Sequence, residues 1–149
     1  MISHPLGQIR SNPKHFQTGS YTFTQQNGRQ CTFRVDPDRA HETRFTTARP
    51  QPWTKLEFHQ CTNCPLRPAE RAHCPVAVDV EEIALQFADV VSHESASVQV
   101  ETADRTYSKR CDVQTGLRSL LGLVMATSAC PILAQLEGLA PLPSALREP

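Results

Sequence analysis

Three cysteines lie close together in the run HQCTNCPLRPAERAHCP: Cys61, Cys64 and Cys74. Thiolates bind zinc at about 2.3 Å in a tetrahedron, and two cysteines separated by two residues can place both sulfurs on one ion through a tight turn. Cys61 and Cys64 have that spacing, and Cys74 returns after a loop whose Pro65, Pro68 and Ala69 suit a fold-back. The fourth ligand must come from elsewhere; the candidates are Cys130, His73, His59 and Cys111. Cys130 is favoured because it follows a helical segment and because sulfur completes a soft set better than imidazole does. His73 comes second, since it adjoins Cys74 and adjacent residues in a short loop often point apart. The expected metal is zinc in a structural role.

Other chemistry competes for the same residues. Cys64, Cys74 and Cys130 are each followed by proline, as in some cluster-binding runs, so an iron-sulfur cluster is the alternative, although the spacing is not that of a ferredoxin. A redox dithiol of Cys61 and Cys64 would need the motif to open a helix after a central strand, and Pro65 with Pro68 argues against that. Cys31 sits at an alternating strand position beside Phe33, where a small buried hydrophobe is the ordinary explanation, and Cys111 is similar. There is no P-loop, dinucleotide fingerprint, paired-histidine protease motif or nucleophile elbow. No catalytic residue is therefore expected. The reading that follows is a noncatalytic, zinc-stabilised module that binds another protein, with an iron-sulfur electron-transfer or redox-sensing protein as the alternative.

The chain as a whole sets limits on these readings. Its 149 residues suit one compact domain with a core of its own. Fifteen Lys and Arg balance fifteen Asp and Glu, so no surplus positive field draws the protein to nucleic acid. The opening MISHPLGQIRSNPKHF lacks the basic start and apolar run of a secretory signal. The longest uncharged stretch, residues 119–136, carries Thr127, Ser128 and Gln135 and is broken by Pro131. It falls short of the roughly 20 apolar residues a membrane span requires. A cytoplasmic setting is expected, and its reducing conditions favour metal binding over disulfides for the six cysteines.

The elements that must position the thiols follow from periodicity. Residues 1–19 read as a loose tail, residues 20–138 as a single domain and residues 139–149 as a second tail. Tyr21 and Phe23 alternate with threonines, and Cys31, Phe33 and Val35 with polar residues, around a link at Gln26-Asn27-Gly28-Arg29. Asn-Gly favours a tight hairpin turn. A short irregular strand is expected around residues 43–47. Leu56 and Phe58 alternate with Lys55 and Glu57 and predict a third strand over residues 53–58. Asp79 with Glu82 resembles a capping box, and Val80, Ile83, Phe87, Val90 and Val91 then fall on one helical face. Ala96, Val98 and Val100 turn back into Tyr107, Lys109 and Cys111 as a second hairpin. Asp112 or Thr115 can cap a second helix carrying Leu117, Leu120, Leu121 and Val124, with Gly116, Gly122 and Ala126 admitting a close neighbour. That helix is expected to stop near Cys130, because Pro131 cannot continue it. The order is not that of βαβ units, so the expected fold is α+β: a mainly antiparallel sheet of two hairpins plus a strand, two helices and a cysteine knuckle.

The segments YTFTQQNGRQCTFRVD, PWTKLEFHQCTNCPL, HCPVAVDVEEIALQF, VQVETADRTYSKR and QTGLRSLLGLVMATSACP together resemble a family of small bacterial domains with no established activity. The resemblance spans about residues 21–131. It implies that Cys61, Cys64, Cys74 and Cys130 form a recurring cysteine frame, which supports the ligand set. Members of that family continue past the Cys-Pro after the second helix into a segment with histidine, aromatic and acidic residues. This chain reads LEGLAPLPSALREP instead, so the resemblance carries no role over to that end.

Overall fold

A computed structural model describes residues 19–36, 39, 43, 45, 47–103 and 105–139. The two tails foreseen at the ends lie outside these residues, apart from the junctions at Gly19 and Leu139. Alternation of apolar and polar side chains gives four strands: β1 (Gly19–Gln25), β2 (Gln30–Val35), β3 (Ser95–Glu101) and β4 (Thr106–Asp112). They form one antiparallel sheet in the order β2-β1-β3-β4. Helix α1 (Pro75–Gln86) connects the two hairpins, and α2 (Val113–Ala126) follows β4. The fold is α+β, as the order of the patterns implies. No helix among the described residues is long and apolar enough to cross a membrane.

One face of the sheet carries the core. Tyr21, Phe23, Phe33, Val98 and Val100 are buried there, together with Ile83 from α1, Phe87 at its C-cap, and Leu120 and Val124 from α2. Phe23 is fully buried and meets Phe33 and Phe87 edge-on, with ring centroids 6.2 and 5.1 Å away. Burying a side chain of that size contributes about 1.5–3 kcal/mol, and edge-on ring pairs add to this. The opposite face presents hydroxyls and amides, among them Thr22, Thr32, Gln99 and Ser108 in one cross-strand row. Thr22 and Thr32 share a hydrogen bond of 3.0 Å.

Several local expectations need correction. The first hairpin is closed by a three-residue loop: the Gly28 N–H donates to the Gln25 carbonyl and the Gln25 N–H to the Arg29 carbonyl. Among the described residues only Gly28 has a positive φ, 82°, so this is a turn with a glycine bulge instead of the tight Asn-Gly form. Residues 53–58 are not a strand. Pro52–Thr54 is a 3-10 turn, Lys55 makes a lone bridge to His73, and the next residues turn away. Leu56 is buried and Phe58 is 54% exposed, so the two do not share a face; Thr54 and Leu56 are the residues this segment buries. Among the described residues around 43–47 there is no strand either.

Helix α1 begins four residues before the expected cap. Cys74 occupies the N-cap position and Pro75 follows it, where proline's fixed φ and missing N–H cost nothing. Asp79 is thus inside the helix, bound to Arg39, and Val90 and Val91 lie past its end. The Arg29 side chain reaches the end of α1, donating to the Gln86 carbonyl at 2.8 Å. Helix α2 is capped by Asp112, whose Oδ1 accepts the Thr115 N–H at 2.6 Å. It ends at Ala126 instead of near Cys130: the Thr127 N–H still reaches the Leu123 carbonyl, but the Ser128 N–H turns to that of Met125.

The two glycines of α2 play opposite parts. A Cβ at Gly116 would stand 2.7 Å from the Phe23 ring and 2.8 Å from Val98, whereas one at Gly122 would meet nothing within 4 Å. Only Gly116 admits a close neighbour, and that neighbour is the sheet. Gly116→Ala is expected to destabilise the fold by about 1–3 kcal/mol through overpacking, while Gly122→Ala stabilises it by up to about 1 kcal/mol. Thermal unfolding of the two variants should therefore move in opposite directions. The bonds from Thr115 also hold the Asp112 carboxyl below the usual carboxylate range. A depressed folded pKa means that this cap stabilises α2 above the unfolded carboxyl's pKa and is lost as pH falls through the folded one. Carboxyl NMR should place the midpoint below that of a free aspartate, with α2 amides exchanging faster as it is crossed.

Candidate functional site

The chain leaves the core at Leu56 and returns at Ala72, and the two ends are tied together. The Leu56 N–H donates to the Ala72 carbonyl at 2.9 Å and the Cys74 N–H to the Thr54 carbonyl at 2.8 Å, flanking the Lys55–His73 bridge. No residue from 57 to 71 is buried. Within the excursion, turns and single bonds give shape, such as Gln60 Nε2 to the Leu66 carbonyl at 2.8 Å.

The base of this excursion is gripped from below by a polar network. Glu81 on α1 is fully buried; its carboxylate accepts the Gln51 backbone N–H and, at 3.2 Å, the Thr47 hydroxyl. The buried Thr54 hydroxyl donates to the Gln51 carbonyl at 2.7 Å and lies 2.8 Å from His73 Nδ1. A hydroxyl has a single proton. Since the carbonyl takes it, His73 Nδ1 must be the donor to Thr54, and in the neutral ring the lone pair lies on Nε2. The Phe45 ring packs edge-on against the imidazole, centroids 5.3 Å apart. Beside this network Arg39 forms a bidentate pair with Asp79 at 3.1 and 2.6 Å and donates to the Thr127 carbonyl at 2.7 Å, joining α1 to the end of α2.

The thiols occupy distinct places in this frame. Cys61 is exposed and Cys64 half-buried, and the Cys64 N–H donates to the Cys61 carbonyl at 3.1 Å, the tight turn that their spacing implies. Half-buried Cys74 stands at the foot of the excursion as the N-cap of α1. Cys130, also half-buried, lies beyond the end of α2 with its N–H on Ser128 Oγ at 3.1 Å. His59 is exposed against Phe58, ring centroids 4.8 Å apart. Among the described residues, no group of three or more His, Cys, Asp or Glu side chains is arranged to hold a metal ion. The donor types suit a thiophilic ion; the side chains as they stand do not surround one. Cys31 is buried, with its thiol 3.8 Å from Gln86 Oε1. At Cys111, burial and then the charge of Asp112 push the thiol pKa up, which disfavours the reactive thiolate.

Sequence patterns had pointed to the cysteines and passed over Thr54, Glu81 and Arg39. Glu81 left one trace, an acid three residues after Val78 on the face that α1 buries. Thr54 and Arg39 left none, because His73 and Asp79, which give them their place, lie well along the chain.

A family model described as a domain of unknown function, DUF6901, matches residues 19–145. No curated protein and no solved structure matches the chain.

Removing the Thr54 hydroxyl leaves the His73 Nδ1–H without its acceptor and the Gln51 carbonyl with the Thr54 backbone N–H as its remaining donor. Thr54→Val, which keeps the shape, is expected to cost about 1–3 kcal/mol in urea unfolding. Hydrogen exchange at Leu56 and Cys74 should rise by more than that at Phe23.

Proposed function

The chain belongs to the DUF6901 family of domains of unknown function, and we propose that it is a noncatalytic protein-interaction module whose knuckle is stapled by zinc. Cys61, Cys64 and Cys74 are the ligands in this reading, and Cys130 is the fourth. The observation that carries it is the excursion over residues 57–71. It buries none of its side chains, so it has no core to fix its shape, yet a thiol pair sits on it and a third thiol stands at its foot. A loop this long without regular structure needs a function or a staple, and metal-binding energy can supply the staple where burial cannot. Because these thiols do not surround an ion as they stand, zinc binding is coupled to closure of the loop.

The partner surface in this reading is the stapled knuckle, where Phe58 is 54% exposed and can serve as an aromatic anchor. A reducing, cytoplasmic setting keeps the thiols available. The noncatalytic part rests on how the buried acids are used: Glu81 and Asp79 both hold backbone or arginine partners and are committed to the fold.

Protein purified without oxygen is expected to be colourless and to hold an equimolar amount of zinc, lost in Cys64→Ser. Chelation should speed proteolysis within residues 57–71 by about tenfold or more while the two hairpins stay protected. A brown protein would assign the same cysteines to an iron-sulfur cluster. Purified protein without metal, whose cleavage rate zinc does not change, would refute the staple.

A further inference from the structure

Strand β2 is an outer strand, bonded to β1 on one side only. The bond from the Gln25 N–H to the Arg29 carbonyl sets the phase of the ladder. Bonded and non-bonded residues alternate in an antiparallel pair, so Cys31, Phe33 and Val35 bond to β1, and Thr32 and Arg34 turn their N–H and C=O groups away from it. Among the described residues, neither bonds through its backbone to another element.

The same stretch of β2 walls a cleft of about 300 Å³. Its far side is α1, through Asp79, Glu82 and Ile83, and the end of α2, through Val124 and Thr127. An outer strand with open backbone groups across a cleft from a helix is the arrangement that lets an extended chain add to a sheet. We propose that this cleft binds an extended segment of a partner protein as a fifth strand beside β2.

The lining defines the segment. Successive side chains of a strand point to opposite faces. Those pointing toward the helices meet Phe33, Val35, Ile83 and Val124, all apolar, so an apolar residue belongs there. Of the acids on that side, Asp79 is neutralised by Arg39. Glu82 is exposed and has no ion-pair partner among the described residues, which calls for a Lys or Arg next along the same face. Side chains pointing the other way lie beside Thr32 and Arg34, and an acid or a hydroxyl fits there. The opposite edge of the sheet is guarded differently: β4 carries Lys109 on its inward face, an inward charge of the kind that blocks strand addition, whereas the one charged residue of β2, Arg34, lies on the outward face. Strand β2, QCTFRV, has neither lysine nor proline. The site uses none of the knuckle's residues, so it stands independently of the zinc reading.

The test is selection of displayed random peptides of about ten residues against the full chain, followed by titration of a selected peptide. Selected peptides are expected to share an apolar residue and a base two positions apart. Bound peptide should slow exchange of the Thr32 and Arg34 amides by about tenfold or more. Arg34→Pro removes an outward N–H without touching a bond to β1 and should weaken binding about tenfold or more. Glu82→Lys, a change at an exposed position that leaves the fold intact, should weaken binding of a basic peptide similarly, so the inference remains testable should Arg34→Pro not fold. Four results would each overturn it: no peptide selected; protection of amides elsewhere; binding indifferent to Glu82→Lys; or self-association of the free chain that protects Thr32 and Arg34, which would give the edge to a second copy.

Discussion

A carboxylate withdrawn from water must find donors, because an uncompensated charge in the interior is among the costliest defects a fold can carry. Glu81 meets that constraint by taking the Gln51 N–H and the Thr47 hydroxyl, and much of the remaining architecture follows. Those two bonds pin to α1 the segment that precedes the knuckle. With Gln51 fixed, its carbonyl can receive the Thr54 hydroxyl, and Thr54 can in turn receive the His73 ring. The foot of the knuckle is therefore placed by a chain of polar contacts that starts inside the helix. Apolar packing decides where the sheet and helices meet; this network decides where the cysteines can be.

The sheet and α2 were legible because their signal is local. Alternation in QCTFRV and SASVQVE and the leucines of α2 state the period directly, and each stretch buries the side its pattern marks. Residues 53–58 show the same alternation and still form no strand, because Pro50 and Pro52 stand beside them and the two residues they bury, Thr54 and Leu56, serve the foot of the knuckle instead of a ladder. Asp79 and Glu82 imitate a helix start, yet Pro75 provides an earlier one, and a carboxylate that could cap a helix serves Arg39 instead. Gly116 and Gly122 look alike in sequence. Only the sheet's closeness to one of them tells them apart.

The candidate site was legible in part. The turn at Cys61 and Cys64 follows from their spacing, and so does the return of Cys74 after a fold-back loop; that Cys74 itself caps α1 does not. What spacing cannot report is the distance between sulfurs on separate turns, and the side chains among the described residues do not form a ready-made metal cage. The cleft beside β2 was invisible beforehand for a similar reason: its walls come from a strand and two helices widely separated in the chain, and only the topology of the sheet makes β2 an outer strand.

The closed neck of the knuckle has a wider consequence. Since Leu56 and Ala72 are joined by a single peptide hydrogen bond, everything between them is a cassette whose removal or exchange would leave the host's connectivity unchanged. The entropy of closing a loop grows only with the logarithm of its length, about 0.6 kcal/mol per doubling. Inserts of quite different size could thus be grafted at this neck, making the domain a scaffold on which one loop can vary freely while the sheet beneath it stays the same.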